Sequence, residues 1–357
     1  MTLRFLAVML LVVGLADTHA DLRAADSTFP KESWERIDDP AASGWSAAGL
    51  EEFRTRLART ETLALVAIHE GRVLVEYGDV RKPNDVNSVR KSLLSALFGR
   101  YVTEKKIRLD ATLAELGIDD IGGLSASEKQ ATVRDLLKAR SGIYHPASNS
   151  GDDSAKAPPR GTQAHGTYFL YNNWDFNALG TIFEKETGKN IYDAFDQDIA
   201  KPLGMEDFQR SMQKKTGDLQ RSMHPAYKIH ISTRDLARVG YLMLREGQWA
   251  GRQVVPAAWV KESTGLITPV VQMNPENKRR GPLGYGYLWW IWDQPWSKGA
   301  YEGAFTATGL RGQELTVLPK LDLVVAHETA GGARHPMTHA QFRELLDVLV
   351  KARGATQ

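Results

Sequence analysis

Hydrophobic periodicity changes twice along this chain, and the order of those changes restricts the folds open to it. Residues 63–68 and 72–77 alternate or run apolar on either side of Glu70-Gly71, which predicts a β-hairpin. A long interval of helical spacing follows. Strand-like runs return only in the last third, at 285–291, 301–308, 314–318 and 321–327, and an amphipathic helix over 338–351 closes the chain. Strands held so far apart are most simply joined in one antiparallel sheet. The expected architecture is α+β (α/β): a sheet lobe from about 45–85 and 280–353 with flanking helices, an inserted, mostly helical lobe from about 86–279, and a cleft between them.

Length and composition fit that scheme. A chain of 357 residues with 42% hydrophobic and 25% charged residues can bury a sizeable core. Its net charge of +2 comes without an arginine-rich run, which argues against a nucleic-acid partner. At the N-terminus, Met1-Thr2-Leu3-Arg4 carries a positive charge, residues 5–16 run apolar, and Thr18-His19-Ala20 ends on a small residue. Residues 1–20 therefore read as a secretory signal peptide cleaved near Ala20, with 21–44 as an irregular leader. The apolar run is too short for a bilayer and no second one follows, so the expectation is an exported protein, periplasmic or secreted, with no stable membrane span after cleavage. The absence of cysteine excludes disulfides, thiol catalysis and thiolate metal sites.

Between the strand runs, a helix is expected from an N-cap at Ser46, carrying Leu50, Phe53 and Leu57 inward. Residues 109–137 read as helical, with Thr132 capping 133–137 and Gly142 as the stop. Residues 144–166 hold Pro146, Gly151, Pro158, Pro159 and Gly161 and read as a long loop, a type of segment that is often functional. Further helices are expected over 176–187, over 191–199, and after a cap at Ser232 or Thr233 with Leu236, Val239, Gly240 and Met243 inward.

The chemistry concentrates where the Asn87-Ser88-Val89-Arg90-Lys91 stretch opens an apolar helix. Residues three apart share a helix face, so the Lys91 amine comes within reach of the Ser88 hydroxyl. If burial keeps that amine neutral it can help deprotonate Ser88 for attack on a carbonyl carbon, and the free N–H groups of the helix start favour the resulting oxyanion. Ser-x-x-Lys is a common pattern, and a second one occurs at Ser211-Met212-Gln213-Lys214. The apolar helix behind Ser88 and the partners downstream favour the first. Tyr171-x-Asn173 supplies a phenol that can relay a proton and an amide that can orient substrate. An unperturbed phenol has a pKa near 10, so Tyr171 needs a cation such as Lys91 beside it to act as a base near neutrality.

Ser88-x-x-Lys91, Tyr171-x-Asn173 and Ala307-Thr308-Gly309-Leu310-Arg311-Gly312-Gln313 together resemble the penicillin-recognising serine hydrolases, in particular the class C β-lactamase-like branch. That branch includes D-alanyl-D-alanine carboxypeptidases, β-lactamase-fold esterases and 6-aminohexanoate-dimer-type amide hydrolases. Ser141-Gly142-Ile143, Ser232-Thr233-Arg234-Asp235-Leu236 and Gly284-Tyr285-Gly286-Tyr287 extend the resemblance over roughly residues 45–350. It implies a β-lactamase/transpeptidase-like fold, Ser88, Lys91 and Tyr171 as catalytic residues, and no cofactor. It also places Asn173, Thr308, Gly309 and Leu310 at the substrate, the backbone N–H groups of Ser88 and Leu310 forming the oxyanion hole.

The family's third motif is commonly Lys-Thr-Gly, which also occurs at Lys215-Thr216-Gly217. That copy lies among polar residues with no apolar alternation, so Ala307-Thr308-Gly309, at the end of an aromatic strand, is the better match. Ala307 then replaces a cation that the resemblance assigns to substrate carboxylates. Arg311 is the candidate replacement, and Tyr144, His145, Trp174, Tyr285, Tyr287 and Trp289 are candidates for an aromatic substrate pocket. The expected activity is hydrolysis of a small ester or amide through a Ser88 acyl-enzyme. The alternatives are a D-alanyl-D-alanine carboxypeptidase or β-lactamase, or a catalytically weak member binding cell-wall fragments. No metal site is expected, because His335 and His339 lack the glutamate of a His-Glu-x-x-His helix, and no Gly-x-Ser-x-Gly elbow occurs.

Overall fold

The computed structural model describes residues 28–354. The signal-peptide segment 1–20 and the start of the leader lie outside the described residues. Helix α1, Ala47–Leu57, begins where the Ser46 hydroxyl accepts the Gly49 N–H, and it buries Leu50, Phe53 and Leu57. The hairpin forms as β1, Thr62–His69, and β2, Arg72–Gly78, turning through Glu70 and Gly71 at φ +50° and +77°.

Five more strands complete one sheet: β3 (Leu283–Tyr285), β4 (Trp290–Trp292), β5 (Phe305–Gly309), β6 (Gln313–Leu318) and β7 (Leu323–Thr329). Their order is β2-β1-β7-β6-β5-β4-β3, with every neighbouring pair antiparallel. The early hairpin thus docks beside the last strand of the chain. β1 is buried on both faces: Ala64, Val66 and Ile68 enter the larger core, while Leu65 and Ala67 enter a smaller one.

Helices α2 (Val89–Thr103), α3 (Val133–Leu137), α4 (Asn173–Thr187), α5 (Ile191–Phe195), α6 (Thr233–Leu244), α7 (Ala257–Ser263) and α8 (His339–Ala352) follow in chain order. α8 starts with a capping box between Thr338 and Gln341 and with α1 covers one face of the sheet, burying Phe342, Leu346 and Leu349 against Leu65, Ala67 and Val325. On the other face α6 lies so close that a Cβ on Gly240 would come 2.5 Å from Val324 and 2.7 Å from Leu315. α2 is buried on nearly every side from Val89 to Gly99, as expected of a helix threaded through a core rather than laid on a surface. The structure therefore has the antiparallel sheet, the flanking helices and the mixed α and β content that the sequence predicts.

Several local expectations need correction. Residues 109–132 hold no α-helix; only the short helical turn Glu128–Gln130 forms there before α3. The carboxylates of Asp119 and Asp120 accept the Leu124 and Ile121 N–H groups at 2.7 Å, and Gly122 and Gly123 adopt φ +78° and +79°. Side-chain acceptors and left-handed backbone compete with helix here. Helix α3 does carry the Thr132 capping box, but it stops at Ala139, φ +55°, ahead of Gly142. Residues 285–291 are not one strand, because Leu288 at φ +63° breaks β3 from β4. Lys214–Thr216 does form a short strand, paired with Ala226–Lys228, and its Lys215 is bound to Glu184. No helix among the described residues is long and apolar enough to cross a membrane.

Candidate active site

Ser88 stands at the N-terminal boundary of α2, and one turn later Lys91 points back along the same face. The Lys91 Nζ donates to Ser88 Oγ at 2.9 Å and to the Tyr171 hydroxyl at 2.6 Å. Tyr171 arrives from the segment just before α4, beyond the long loop, so three sequence-predicted residues from two distant segments meet around one amine. Lys91 is 1% exposed and Tyr171 8%. The Lys91 Nζ lies 4.2 Å from the Tyr171 ring centroid and 4.6 Å from that of Phe176. Tyr171 in turn packs on Phe176, Tyr285 and Trp290, stacking on the last at 5.3 Å.

This surrounding sets the protonation states. Burial among aromatic rings, followed by the charge of adjacent Arg90, holds the Lys91 amine well below the ordinary lysine range. Burial pushes the Tyr171 phenol up, against a smaller opposing effect of its hydrogen bond with Ser88. Both effects favour the neutral pair. Proton transfer uses the 2.9 Å contact with the Ser88 hydroxyl donating to the Nζ lone pair, while an Nζ N–H donates to the phenol oxygen and the phenol keeps its own proton to give away. The cation that Tyr171 would need beside it to act as a base near neutrality is disfavoured by this burial.

The end of β5 closes the other side. A Cβ on Gly309 would sit 2.5 Å from the Val86 carbonyl and 3.2 Å from the Ser88 nitrogen, so only glycine lets this strand end lie against the serine. Among the described residues, neither the Ser88 N–H nor the Leu310 N–H has a hydrogen-bond acceptor in the turn and loop network. Both are thereby without a backbone acceptor in that network, as donors for a developing oxyanion must be. Asn87 spans the gap between them, its Nδ2 donating to the Leu310 carbonyl at 2.9 Å.

The remaining candidates fall in different places. Thr308 is half-buried at the end of β5, paired with Glu314. Asn173 opens α4 and is 1% exposed; its Nδ2 donates to the Ser150 carbonyl at 3.0 Å, while its backbone N–H donates to Asp152 at 2.8 Å. It thus holds the long loop against the tyrosine segment. The Arg311 guanidinium donates to the Ala333 carbonyl, bracing the β5–β6 turn. The Tyr144 hydroxyl is buried, and its phenol is pushed up by burial and then by the charge of Asp175. Ala307 is fully buried in the larger core, so no charge stands at that strand position.

The expected aromatic pocket is mostly core. Trp174 donates its Nε1 to Asp120 at 2.6 Å, Tyr287 bonds Glu262 at 2.9 Å, and His145 bonds backbone carbonyls. Trp289 is fully buried. Of these six residues, Tyr285 is the one that packs on Tyr171. Trp290, Phe176, Lys278 and Asn87 adjoin the site without having been singled out from the sequence. Asn87 carried a readable signal, since asparagine next to a nucleophile is a residue that tolerates left-handed backbone. His339 bonds Glu314, and no metal-ligating cluster is found among the described residues.

Comparison with known proteins bears on the fold and the family. The family model described as Beta-lactamase matches residues 51–348. Among solved structures, a protein described as a 6-aminohexanoate-dimer hydrolase from Bacillus anthracis superposes with a TM-score of 0.65 at 19% identity, covering 93% of this chain and 91% of that one. A penicillin-binding protein homologue from Caulobacter crescentus gives 0.61 at 16% identity, covering 90% and 99%. EstCE1, described as a hydrolase with promiscuous acyltransferase activity, gives 0.59 at 15% identity, covering 85% and 98%. An uncharacterised protein of Alkalihalophilus pseudofirmus is 33% identical over 103 residues, a match spanning 27% of this chain and 28% of that one.

Proposed function

The chain belongs to the beta-lactamase family, and from that premise we propose that it is a serine hydrolase cleaving an ester or amide of a small molecule through a Ser88 acyl-enzyme. The observation that carries this is the buried Lys91 amine, 2.9 Å from the Ser88 hydroxyl and 2.6 Å from the Tyr171 phenol. Ser88 Oγ attacks the carbonyl carbon as its proton passes to Lys91 Nζ. The oxyanion is received by the N–H groups of Ser88 and Leu310. On collapse, the Tyr171 phenol gives its proton to the departing oxygen or nitrogen and is reprotonated by Lys91. Water then attacks the acyl-enzyme carbonyl, giving a proton to the same pair, and on collapse Ser88 Oγ takes that proton back as the acid departs.

Ala307 supports an ester or amide preference over β-lactams and carboxypeptidase substrates, because the buried alanine places no cation on β5 for a carboxylate. The signal-peptide pattern at 1–20 supports export to the periplasm or medium. A fluorophosphonate probe followed by peptide mass mapping tests the nucleophile: labelling at Ser88, abolished in Ser88→Ala, is expected. Short-chain nitrophenyl esters, linear amides, D-amino-acid peptides and a chromogenic cephalosporin assayed side by side test the substrate class. Failure of wild type to label, or cephalosporin turnover above ester turnover, contradicts the proposal.

A further inference from the structure

Among the described residues, Asn87 is the one side chain with a hydrogen bond from the nucleophile loop to the strand end at Leu310, and its own peptide bond carries the Ser88 N–H. We infer that Asn87 is the positioning residue of the oxyanion hole, setting the Ser88 and Leu310 N–H groups against each other through a single side-chain hydrogen bond. The inference rests on the serine-hydrolase reading above.

Asn87 adopts φ +48°, a left-handed conformation that asparagine tolerates better than most residues. Its backbone N–H donates to Asp85 Oδ1 at 2.9 Å, and Asp85 is itself tied to Lys228 at 2.7 Å. With backbone and neighbour fixed, the side chain reaches outward and its Nδ2 donates to the Leu310 carbonyl at 2.9 Å.

Leu310 needs that tether. Its side chain is 63% exposed and contributes little packing, and it heads a turn whose next residues, Arg311 and Gly312, adopt φ +68° and +75°. The far half of the turn is held by Arg311 to the Ala333 carbonyl and by His327 Nδ1, which donates to the Gly312 carbonyl at 2.7 Å. The near half, which carries the Leu310 N–H, is held by Asn87. Rotation of the Leu310 carbonyl away from Asn87 would turn the adjoining peptides and with them the second donor. Because the oxyanion exists only in the transition state and the intermediate, such a rotation weakens the reaction more than it weakens substrate binding.

The test compares wild type with Asn87→Gly, Asn87→Ala and Asn87→Asp on a short-chain nitrophenyl ester, alongside affinity for an aryl boronic acid and the thermal midpoint. Glycine accepts the left-handed backbone but lacks the amide; aspartate keeps the shape and cannot donate. The expected result is a kcat roughly tenfold to hundredfold lower in each, lowest for aspartate, with KM within about twofold and boronate affinity falling in step with kcat. Wild-type kcat in Asn87→Gly overturns the inference. So does a loss confined to thermal midpoint and folded fraction, with boronate affinity per folded molecule unchanged. If wild type itself takes no fluorophosphonate at Ser88, the hydrolase reading fails and this inference falls with it; if it labels and the glycine variant matches it, only this inference falls.

Discussion

Lys278 places its ammonium 3.1 Å from the carboxylate of Asp153, at the edge of the Tyr171–Trp290 stack. The two residues belong to the helical turn Glu276–Arg280 and to the long 144–166 loop, so their ion pair pins that loop beside Tyr171. The Asp153 N–H continues the attachment by donating to the Tyr171 carbonyl at 2.9 Å.

Removing the ammonium should loosen this cover without unfolding the protein. A partly exposed ion pair is worth about 1 kcal/mol or less, so Lys278→Ala should leave the thermal midpoint nearly unchanged. Hydrogen exchange at the Asp153 amide should accelerate by about threefold to tenfold, reporting local opening. Unchanged protection of residues 150–156 in the variant would show that the loop is held by Asn173 and Asp152 instead.

Lys91 couples activity to stability through one proton. Its folded pKa lies well below the ordinary lysine value of 10.5, chiefly because burial penalises the charged amine. Between that depressed value and 10.5 the unfolded chain binds a proton that the folded chain does not, so stability attributable to this group rises with pH across the window. The slope approaches about 1.4 kcal/mol per pH unit at most. Urea unfolding from pH 6 to 9.5 should show this rise in wild type and its absence in Lys91→Met. The kcat/KM of wild type should climb through the same depressed pKa, since only the neutral amine accepts the serine proton. Parallel stability profiles for the two proteins would mean that the amine is charged in the folded state.

The strands were legible because the sheet leaves its imprint as alternation or as short apolar runs: Leu65 and Ala67 serve one core, Val66 and Ile68 the other. The Ser88–Lys91 pair was legible for an equally local reason, since helix geometry alone brings positions three apart together. What could not be read depends on side chains overruling the local pattern. The region around Asp119 and Asp120 looks helical by apolar spacing, yet its carboxylates capture backbone N–H groups at 2.7 Å and the following glycines turn left-handed. Trp290 and Lys278 gave no signal because their meeting with Tyr171 depends on the kink at Leu288 and on a short helical turn rich in charge. The same dependence explains why most of the aromatic residues expected at the substrate lie in the core.

Gly309 offers a steric test of how closely β5 must approach the nucleophile. A methyl group there would meet the Val86 carbonyl at 2.5 Å and Gln313 Cβ at 2.9 Å, both on backbone or its root. Gly309→Ala should therefore displace the strand end from Ser88 while β5 keeps its pairing with β6. A fall in kcat of about tenfold to a hundredfold is expected, reaching at most the lower end of what complete loss of one oxyanion donor costs. Fluorophosphonate labelling should slow in proportion, and a variant labelling at the wild-type rate would show that the strand end can move without moving the donor.

His327 should govern the acid limit of the fold. It is fully buried in β7, donates from Nδ1 to the Gly312 carbonyl at 2.7 Å, and lies 2.8 Å through Nε2 from the Thr62 hydroxyl. Burial lowers its pKa to about 4, from the ordinary histidine value of 6.5. Between those values the unfolded histidine binds a proton that the folded one does not, so stability falls as pH drops from 6.5 toward 4. Over the full interval the loss is about 3 kcal/mol. Asp175, Glu314 and Glu328 are buried carboxyls pushed upward by desolvation, so they act with the opposite sign. They titrate in wild type and variant alike, and the difference between wild type and His327→Gln isolates the histidine. Urea titrations at pH 7, 5.5 and 4.5 should show wild type losing stability relative to His327→Gln at each step. A constant stability difference across these pH values would place the proton elsewhere.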